Sequence, residues 1–310
     1  MINTLTLNPA IDHIFYLDRF RRNITNRLTD TAVSIGGKGT HVSVNLAIMG
    51  TPSRAFGFTF GQTGRRILQM LEEAGVDVRF THREGQESRD NYMLVEEETR
   101  DCTLIAQKGP QPDAEALADF LNRVKAEVMP GDDLLLSGDV SNFAGQDIYG
   151  RVQDALADKN LRVFLDASGQ SLVEGIKRSP FLIKPNIDEL AMLTGARPQS
   201  EREVIDAIHA LDKYNIQVVA VSLGGDGSLV RTKDKLLRAR APEVKVYNTV
   251  GCGDCYIAGM MHGFGQGMDT EEALRWATAA AAAKAESPLS VGFDKNRALE
   301  LLPRVTITRV

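Results

Sequence analysis

The feature that most constrains the fold is a regular alternation of helical and strand-like segments that begins near residue 114. The stretch AEALADFLNRVKAEVM places apolar residues at helical spacing, and the apolar run DDLLLS that follows it suits a buried strand. The cycle repeats through RVFLD, FLIK and QVVAVS, each of which is preceded by a helical pattern. Strands that alternate with helices pair in parallel, so the sequence predicts an α/β fold with a doubly wound, mostly parallel sheet flanked by helices.

The first third of the chain departs from this cycle. The segments HIFYLDRF, RDNYMLVEE and DCTLIA resemble strands in which polar and charged residues interrupt the apolar ones. Two helical segments, HVSVNLAIMG and GRRILQMLEEAG, are interleaved with them. We predict a single domain over residues 1–310, with a small β-sheet lid that stands off the main sheet. Its strands are expected within roughly residues 11–33 and 88–107.

Composition excludes several classes of protein. The chain has 310 residues and a formal net charge of −5, which argues against nucleic acid as its main partner. No run of about 18 apolar residues is present, so no membrane span is expected. The first residues lack the pattern of a signal peptide, and three cysteines are too few for a disulfide framework. We therefore expect a cytoplasmic protein that binds neither nucleic acid nor a membrane.

The segment NTVGCGDCYIAG has two interpretations. Apolar residues after Asp254 fall on one face of a helix, which places Gly251, Cys252 and Gly253 at the helix N-terminus. Unpaired N–H groups and the helix dipole favour a bound anion at such a position. Asp254 in the first turn either caps the helix or accepts a proton from a hydroxyl that attacks a phosphorus centre. The residues alone leave both uses open.

Cys252 and Cys255 also form a CxxC pair, a pattern found in redox and metal sites. A structural zinc needs four ligands, and the only other cysteine is Cys102. A thioredoxin-like pair would follow an early strand and would not contain an aspartate. We therefore expect no redox or metal function for the pair, and Cys255 is expected to be a small buried residue on the helix.

Two more glycine-rich segments precede this one. IGGKGTHVSVNLA places Lys38 among glycines just before a helix, where its ammonium group suits a phosphate or a sugar hydroxyl. SLGGDGSLV follows a predicted parallel strand, at the edge of the sheet where α/β folds bind ligands. The same Gly-Asp-Gly sequence also suits a tight hairpin turn, so contact with a nucleotide and a turn both remain open.

The segment LIKPNIDELAMLTG places Asn186 and Glu189 three residues apart, on one helix face. An amide and a carboxylate near phosphate groups suit hydrated Mg²⁺, which binds through few protein ligands. The same pair matches the pattern of a capping box at a helix start. Both interpretations stand at the level of the sequence.

Taken in order, the motifs TLNPAID, GGKG, RDN, KPNIDE, SLGGDG and NTVGCGD resemble those of the ribokinase/PfkB family of carbohydrate kinases over nearly the whole chain. The opening Asn-Pro-Ala-Ile-Asp is similar to the hexose-phosphate branch, which contains 1-phosphofructokinases and tagatose-6-phosphate kinases. The resemblance implies a ribokinase-like fold and a kinase that uses ATP and Mg²⁺. It implies transfer of the γ-phosphate to a phosphorylated ketohexose, from fructose 1-phosphate to fructose 1,6-bisphosphate. Tagatose 6-phosphate, an unphosphorylated sugar and a nucleoside are the alternative acceptors.

The resemblance also implies roles for individual residues. Asp254 would be the catalytic base, and the amides of Gly251, Cys252 and Gly253 would stabilise the transferring phosphoryl group. The residues implied to bind the sugar or its phosphate are Asp12, Gly36, Gly37, Lys38, Gly39, His41, Arg89 and Arg27. Those implied to bind the nucleotide are Lys184, Asn186, Ser222, Gly224, Gly225 and Gly227. Asn186 and Glu189 would organise Mg²⁺ through water, and the lid would close over the sugar and form a homodimer.

The chain departs from the family pattern mainly on the sugar side. His41 stands where the family usually has asparagine, and residues 137–143 read SGDVSNF in place of Ser-Gly-Ser-Leu-Pro-x-Gly. Asn248 replaces an aspartate that lies near a monovalent-cation site in relatives. A second enzyme interpretation rests on GGDGS, which resembles a motif of NAD and lipid kinases that occurs early in those chains. The alternative from another class is a non-catalytic protein that senses a sugar phosphate, and the presence of Asp254 argues against it.

Overall fold

The computed structural model of the chain describes residues 1–99, 101–143 and 147–310. These residues form two sheets, a large one of 11 strands and a small one of four. Helices cover both faces of the large sheet. The predicted α/β fold, with a mostly parallel sheet flanked by helices and a small separate sheet, is confirmed.

The elements are numbered along the chain. The strands are β1 (Ile2–Thr6), β2 (Ala10–Leu17), β3 (Asp30–Gly36), β4 (Ser53–Phe60), β5 (Asp77–Val78), β6 (Thr81–Arg83), β7 (Arg89–Glu96), β8 (Cys102–Ala106), β9 (Asp133–Gly138), β10 (Arg162–Ala167), β11 (Leu182–Ile183), β12 (Val218–Ser222), β13 (Ser228–Arg231), β14 (Leu236–Arg240) and β15 (Thr306–Arg309). The α-helices are α1 (Lys38–Met49), α2 (Gly61–Glu73), α3 (Ala114–Glu127), α4 (Ile148–Ala155), α5 (Gly169–Gly175), α6 (Ile187–Thr194), α7 (Glu201–His209), α8 (Cys252–Gly265), α9 (Thr270–Ala285) and α10 (Lys295–Leu301). Within the described part of the chain, none of the helices is long and apolar enough to cross a membrane.

The large sheet has the strand order β15-β14-β13-β12-β11-β10-β9-β1-β4-β5, and β6 pairs with β4. The strands from β12 to β5 are parallel, whereas β13, β14 and β15 form an antiparallel edge. Chain order reverses at β1, because β4 lies on one side of it and β9 on the other. In α/β folds the carboxyl ends of the strands at such a reversal form a crevice that binds ligands.

The strand β9 shows why the predicted parallel strands are continuous apolar runs. Leu134 and Leu136 belong to the cluster of apolar side chains on one face of the sheet, which packs against α3, α4, α5, α6 and α7. Leu135 points to the opposite face and joins the cluster formed with α1, α8, α9 and α10. A strand buried on both faces needs apolar residues at every position, since successive side chains alternate between the faces.

The small sheet has the strand order β3-β2-β7-β8, in which β2 and β7 are parallel and the other pairs are antiparallel. Its four strands lie at residues 10–17, 30–36, 89–96 and 102–106. Residue 100, which belongs to the predicted lid range 88–107, lies outside the described residues. The register places Asp12 of β2 between Ser34 of β3 and Asn91 of β7, at the end of the sheet nearest to β1.

Helices α8 and α9 pack so closely that their contact requires residues without bulky side chains. A Cβ atom at Gly259 of α8 would lie 2.5 Å from the Cα atom of Ala277 of α9. At Gly263 it would lie 2.5 Å from the Cα atom of Ala273. The alanine-rich segment of α9 is therefore a buried packing surface that fixes the axis of α8, the helix that begins with the GCGD sequence.

Replacing Gly259 with alanine should lower the free energy of unfolding by about 1–3 kcal/mol, because overpacking forces the two helices apart. Gly265 provides a matched control in the same helix, since a Cβ atom there would meet Ile2 Cδ1 at an ordinary 3.4 Å. Gly265→Ala should be neutral or slightly stabilising. Urea denaturation of the two variants measures the difference, and equal stability of both would contradict the packing argument.

Candidate active site

The GCGD sequence forms the start of α8, as the apolar spacing predicts. Gly251 precedes the helix with a φ angle of 81°, in the left-handed region that favours glycine. A Cβ atom at Gly251 would lie 2.0 Å from the carbonyl oxygen of Ser290, so a larger residue would not fit. The first N–H groups of α8 lack partners within the helix, which gives this end of α8 the character of an anion site.

Asp254 lies in the first turn of α8 and is 7% exposed. Among the described residues no side chain caps α8, so Asp254 is not used as a helix cap. Its Oδ2 atom instead lies 2.6 Å from Nδ1 of His41, a residue of the first turn of α1. The two helix starts that the sequence marks with glycines, separated by more than 200 residues, therefore meet at one point.

A buried ion cluster lies beside these helix starts. Asp166, at the carboxyl end of β10, places Oδ1 3.4 Å from Nζ of Lys38 and 3.3 Å from Nζ of Lys184. Oε1 of Glu189 lies 3.9 Å from Nζ of Lys38. Burial raises the pKa of Asp166, but the charges of Lys184 and Lys38 outweigh it, so the pKa falls below the ordinary value.

The lysines of this cluster reach the start of α8. A Cβ atom at Gly253 would lie 3.1 Å from Nζ of Lys184, so the ammonium group lies directly against the loop. Burial lowers the pKa of Lys38, but the carboxylates of Asp166, Asp254 and Glu189 raise it further, with a net increase. Lys184 lies against the start of α8 and Lys38 is the first residue of α1, so the side-chain amines of both lysines lie near helix N-termini, an arrangement that attracts phosphate groups.

Sequence reasoning did not single out Asp166 or Lys284. The sequence does contain a pattern that points to Asp166, because this residue ends the strand-like run RVFLD at the edge where α/β folds bind ligands. Lys284 is a fully buried lysine of the alanine-rich helix α9, and its Nζ atom lies 3.4 Å from the carbonyl oxygen of Asn248. Burial lowers the pKa of Lys284, whose Cε atom lies 3.4 Å from the position of a Cβ atom at Gly251.

Asp12 lies on the other side of His41, in the small sheet. Its Oδ1 atom accepts a hydrogen bond of 2.9 Å from Nδ2 of Asn91, and its Oδ2 atom lies 3.8 Å from Nε2 of His41. A Cβ atom at Gly36 would lie 2.1 Å from Oδ1 of Asp12, so the first glycine of the GGKG loop makes room for this carboxylate. Gly37 has a φ angle of 109° and precedes α1. The structure therefore brings Asp12, the glycine loop and His41 together.

The two arginines singled out from the sequence have different surroundings. Arg89 is buried, and it donates hydrogen bonds to the carbonyl oxygens of Asn8 at 3.0 Å and Gln107 at 3.1 Å. It also lies 3.5 Å from Oδ2 of Asp139, at the carboxyl end of β9. Burial lowers its pKa from the ordinary value. Arg27 is exposed in the segment between β2 and β3, so its surroundings are those of an ordinary surface charge, whereas those of Arg89 are not.

Asn186 and Glu189 form the capping box that the sequence allowed. Oδ1 of Asn186 accepts from the Glu189 N–H at 2.8 Å, and Oε2 of Glu189 accepts from the Asn186 N–H at 3.0 Å. The cap occupies one oxygen of the Glu189 carboxylate and leaves Oε1 facing Lys38. Asn186 also forms a parallel bridge with Ser222 at the end of β12, which fixes α6 relative to the next loop.

The SLGGDGSLV segment is a hairpin connection, since β12 and β13 are antiparallel. Gly224 has a φ angle of 62° and Gly227 one of 89°. A Cβ atom at Gly227 would lie 2.1 Å from the carbonyl oxygen of Ala239, so this glycine is required by the turn. Gly224 and Gly225 are exposed, and the turn adjoins the carboxyl end of β12 next to Ser222.

The surroundings of the CxxC pair disfavour a reactive thiolate. Cys102, Cys252 and Cys255 are all free thiols. Burial raises the pKa values of Cys252 and Cys255, which disfavours the reactive thiolate. Within the described residues no group of three or more His, Cys, Asp or Glu side chains forms a metal cluster. Cys255 is buried on α8, as the sequence predicts for a small packing residue.

Comparisons with known proteins give one family. The profile of the pfkB family carbohydrate kinases matches residues 5–293. The chain is 33% identical to a 1-phosphofructokinase of Bacillus subtilis over 100% of both chains. It is 31% identical to a tagatose-6-phosphate kinase of Staphylococcus epidermidis over 90% of both. Phosphofructokinase-2 of Escherichia coli, crystallised with fructose 6-phosphate, superposes with a TM-score of 0.88 over 98% of both chains, and its 22% identity speaks for the fold alone.

Replacing Asp166 with asparagine should lower the free energy of unfolding by about 3–5 kcal/mol, because two lysines lose their shared counter-charge. The lowered pKa of Asp166 means that its stabilisation is present above the unfolded-state pKa near 4 and is lost only in stronger acid. The deficit of the variant should therefore be full at pH 7. Asp154→Asn is the control, since that side chain is 72% exposed. Urea denaturation at pH 7 measures both, and equal loss in the two variants would contradict the assignment.

Proposed function

We propose that this chain, which belongs to the pfkB family of carbohydrate kinases, transfers the γ-phosphate of ATP to a hydroxyl group of fructose 1-phosphate and forms fructose 1,6-bisphosphate. Membership of the family makes it a phosphotransferase with an alcohol group as acceptor, and this family uses ATP. The full-length match to a 1-phosphofructokinase supports the acceptor. The observation that carries the proposal is the buried carboxylate of Asp254 in the first turn of α8, beside an anion loop and two lysines.

Asp254 serves as the base of this reaction. The oxygen of the acceptor hydroxyl forms a bond to the γ-phosphorus, the bond from that phosphorus to the bridging oxygen of ATP breaks, and the hydroxyl proton passes to the Asp254 carboxylate. The Asp254 carboxylate caps no helix, and its hydrogen bond with His41 holds it in place. It is therefore available for this role. A protein that only binds sugar phosphates would need no base at this position.

The start of α8 and the lysines stabilise the transferring group. The amides of Gly251 and Gly253 lie at the start of α8, where negative charge is favoured, whereas the N–H group of Cys252 donates a hydrogen bond of 3.2 Å to the carbonyl oxygen of Thr249 and does not serve the anion in this arrangement. Lys184, which lies against Gly253, adds a cation to this position. Phosphoryl transfer depends mainly on placement and on neutralising charge, so a preformed set of amides and cations supplies what the reaction needs.

The acceptor lies between the small sheet and the start of α1. Asp12 and the loop from Gly36 to Gly39 offer a carboxylate and backbone groups to the sugar hydroxyls. The guanidinium group of Arg89 binds the phosphate group that the acceptor already carries. Its planar set of N–H donors suits two phosphate oxygens at once. Arg89 is held in place by two carbonyl oxygens and is therefore oriented before the substrate binds.

The nucleotide lies along the carboxyl ends of β11 and β12. Lys184 directly follows the strand β11, and the Asn186–Ser222 bridge joins its loop to β12. The exposed glycines of the turn, Gly224 and Gly225, let a nucleotide approach the backbone. This placement puts the phosphates toward the lysine cluster and the remainder of ATP toward the antiparallel edge of the large sheet.

Mg²⁺ is the usual metal ion of this family, and the donor groups fit it. Oδ2 of Asp166 is buried without a hydrogen-bond partner among the described residues, and Oε1 of Glu189 is free of the capping box. Mg²⁺ prefers carboxylate and water oxygens and keeps several of its waters. Glu189 and Asn186, with Asp166, would hold the hydrated ion, which supplies positive charge to the phosphates when it is bound.

The small sheet serves as a lid over the acceptor and as the contact between two copies of the chain. Its outer strands β3 and β8 expose apolar side chains, with Val33 at 40%, Leu104 at 55% and Ile105 at 55%. Exposed apolar groups on the outer strands of a sheet are typical of interfaces. Sedimentation velocity should show a dimer that Leu104→Glu converts to a monomer, whereas a monomeric wild-type chain would contradict this assignment.

The proposed reaction is tested by measuring ADP formation from ATP and Mg²⁺ with four acceptors: fructose 1-phosphate, tagatose 6-phosphate, fructose 6-phosphate and fructose. We expect the highest kcat/KM with fructose 1-phosphate. Tagatose 6-phosphate is the second candidate, because a tagatose-6-phosphate kinase is 31% identical to the chain. No ADP above background with any acceptor would favour the non-catalytic sensing protein.

Asp254→Asn tests the base directly. Loss of a positioned base should lower kcat by about 10²–10⁴-fold, with a smaller effect on the affinity for ATP. Asp154→Asn makes the same chemical change at an exposed position of α4 and should leave kcat unchanged. An Asp254→Asn variant that keeps the wild-type kcat would show that another group accepts the proton.

A further inference from the structure

His41 occupies an unusual position between two carboxylates. It lies in the first turn of α1 and is 4% exposed. Its Nδ1 atom lies 2.6 Å from Oδ2 of Asp254 in α8, and its Nε2 atom lies 2.8 Å from the carbonyl oxygen of Ile35 in β3. Oδ2 of Asp12 in β2 lies a further 3.8 Å from Nε2. The ring therefore joins the small sheet to the helix that carries the proposed base.

The partners of the ring decide its protonation. A neutral imidazole has one N–H donor and one acceptor nitrogen, whereas both nitrogens donate in the imidazolium form. The carbonyl oxygen of Ile35 and an ionised Asp254 carboxylate can only accept hydrogen bonds. Only the imidazolium form of His41 donates to both of them at once.

The charges around the ring favour the same form. Burial lowers the pKa of His41, but the hydrogen bond to Asp254 and the charges of Asp254 and Asp12 outweigh burial, so the pKa rises above 6.5. The nearest cation of its own helix, Lys38, points toward Asp166 and Glu189. Lys284 of α9 also interacts electrostatically with Asp254. A cation between Asp12 and Asp254 also relieves the repulsion of two buried carboxylates.

We propose that His41, as an imidazolium, is a positioning residue that holds Oδ2 of Asp254 and thereby leaves Oδ1 to receive the proton of the acceptor hydroxyl. This role rests on the proposed function, in which Asp254 is the base. A charge-assisted hydrogen bond of 2.6 Å fixes the carboxylate more strongly than a neutral donor would. The ring touches the base and acts on the reaction through it.

The contacts also couple the base to the acceptor side of the site. Asn91 of β7 donates to Asp12, Asp12 faces His41, and His41 binds Asp254, so one series of polar contacts runs from the small sheet to α8. A sugar hydroxyl bound at Asp12 adjoins the same ring. Placement of the small sheet and orientation of the base are thus linked through a single titratable side chain.

A pH dependence follows with a defined direction. Because the folded-state pKa of His41 is raised above 6.5, the imidazolium and its contacts are present below that value and are lost as the pH rises through the raised pKa. Deprotonation leaves either Ile35 or Asp254 facing a nitrogen lone pair. We expect kcat/KM to fall on this alkaline side as the carboxylate loses its fixed orientation.

The protonation state is measured in the free enzyme by NMR of ¹⁵N-labelled histidines, which distinguishes imidazolium from the two neutral tautomers. The chain has five histidines, and the signals missing in His41→Asn assign His41. We expect both nitrogens of His41 to carry protons at pH 7. A single neutral tautomer at pH 7 would overturn the proposal, whatever the kinase assay shows.

The positioning role is tested by pH profiles of kcat/KM for the wild type and three variants. His41→Ala should lower kcat by about 10²-fold, since a misplaced catalytic group has an effect of this size. His41→Asn, whose amide can donate to Asp254 and does not titrate, should recover most of this activity and lack the alkaline fall. His209→Asn is the control, because His209 is 54% exposed on α7.

The outcomes separate this proposal from the proposed function. A wild type and His41→Asn with the same alkaline fall, or His41→Ala with the wild-type kcat, would overturn the positioning role while the kinase function stands. No turnover in the wild type with any acceptor would overturn both. Circular dichroism and thermal unfolding of each variant confirm that the compared proteins are folded.

Discussion

The ion cluster around Asp166 is the interaction on which the rest of the site depends. One buried carboxylate at the end of β10 pairs with Lys38 at the start of α1 and with Lys184 at the end of β11. These partners come from segments that are distant in the sequence, and their shared counter-charge holds them at the point where chain order in the large sheet reverses. Burying a charged group is costly, and removing the partner of a buried ion pair is strongly destabilising.

The fold and the outline of the site could be predicted from the sequence, because their signals are local. Alternating helix and strand patterns gave the α/β architecture, and glycines at the start of α1 and α8 marked two helix N-termini. Long-range contacts carried no such signal. The hydrogen bond from His41 to Asp254 joins residues 213 positions apart, and nothing in either local segment predicts it. The same holds for Asp166, whose partners are visible only once the strands are aligned.

Other features show where one local pattern serves two purposes. Asn186 and Glu189 fit both a capping box and a metal site, and the structure forms the cap while it leaves one oxygen of Glu189 unused by the cap. The Gly-Asp-Gly sequence fits both a hairpin and a nucleotide contact, and the hairpin places its exposed glycines at the carboxyl end of β12. In both segments the structural role holds in place the groups that the proposed chemistry needs.

Phosphoryl transfer to a sugar hydroxyl is the proposed central activity of this chain, and ³¹P NMR of the reaction mixture observes that transfer directly. With ATP, Mg²⁺ and fructose 1-phosphate, we expect one new phosphate ester on the sugar for each ADP formed. Formation of ADP with inorganic phosphate and no new ester, or no consumption of ATP at all, would contradict it.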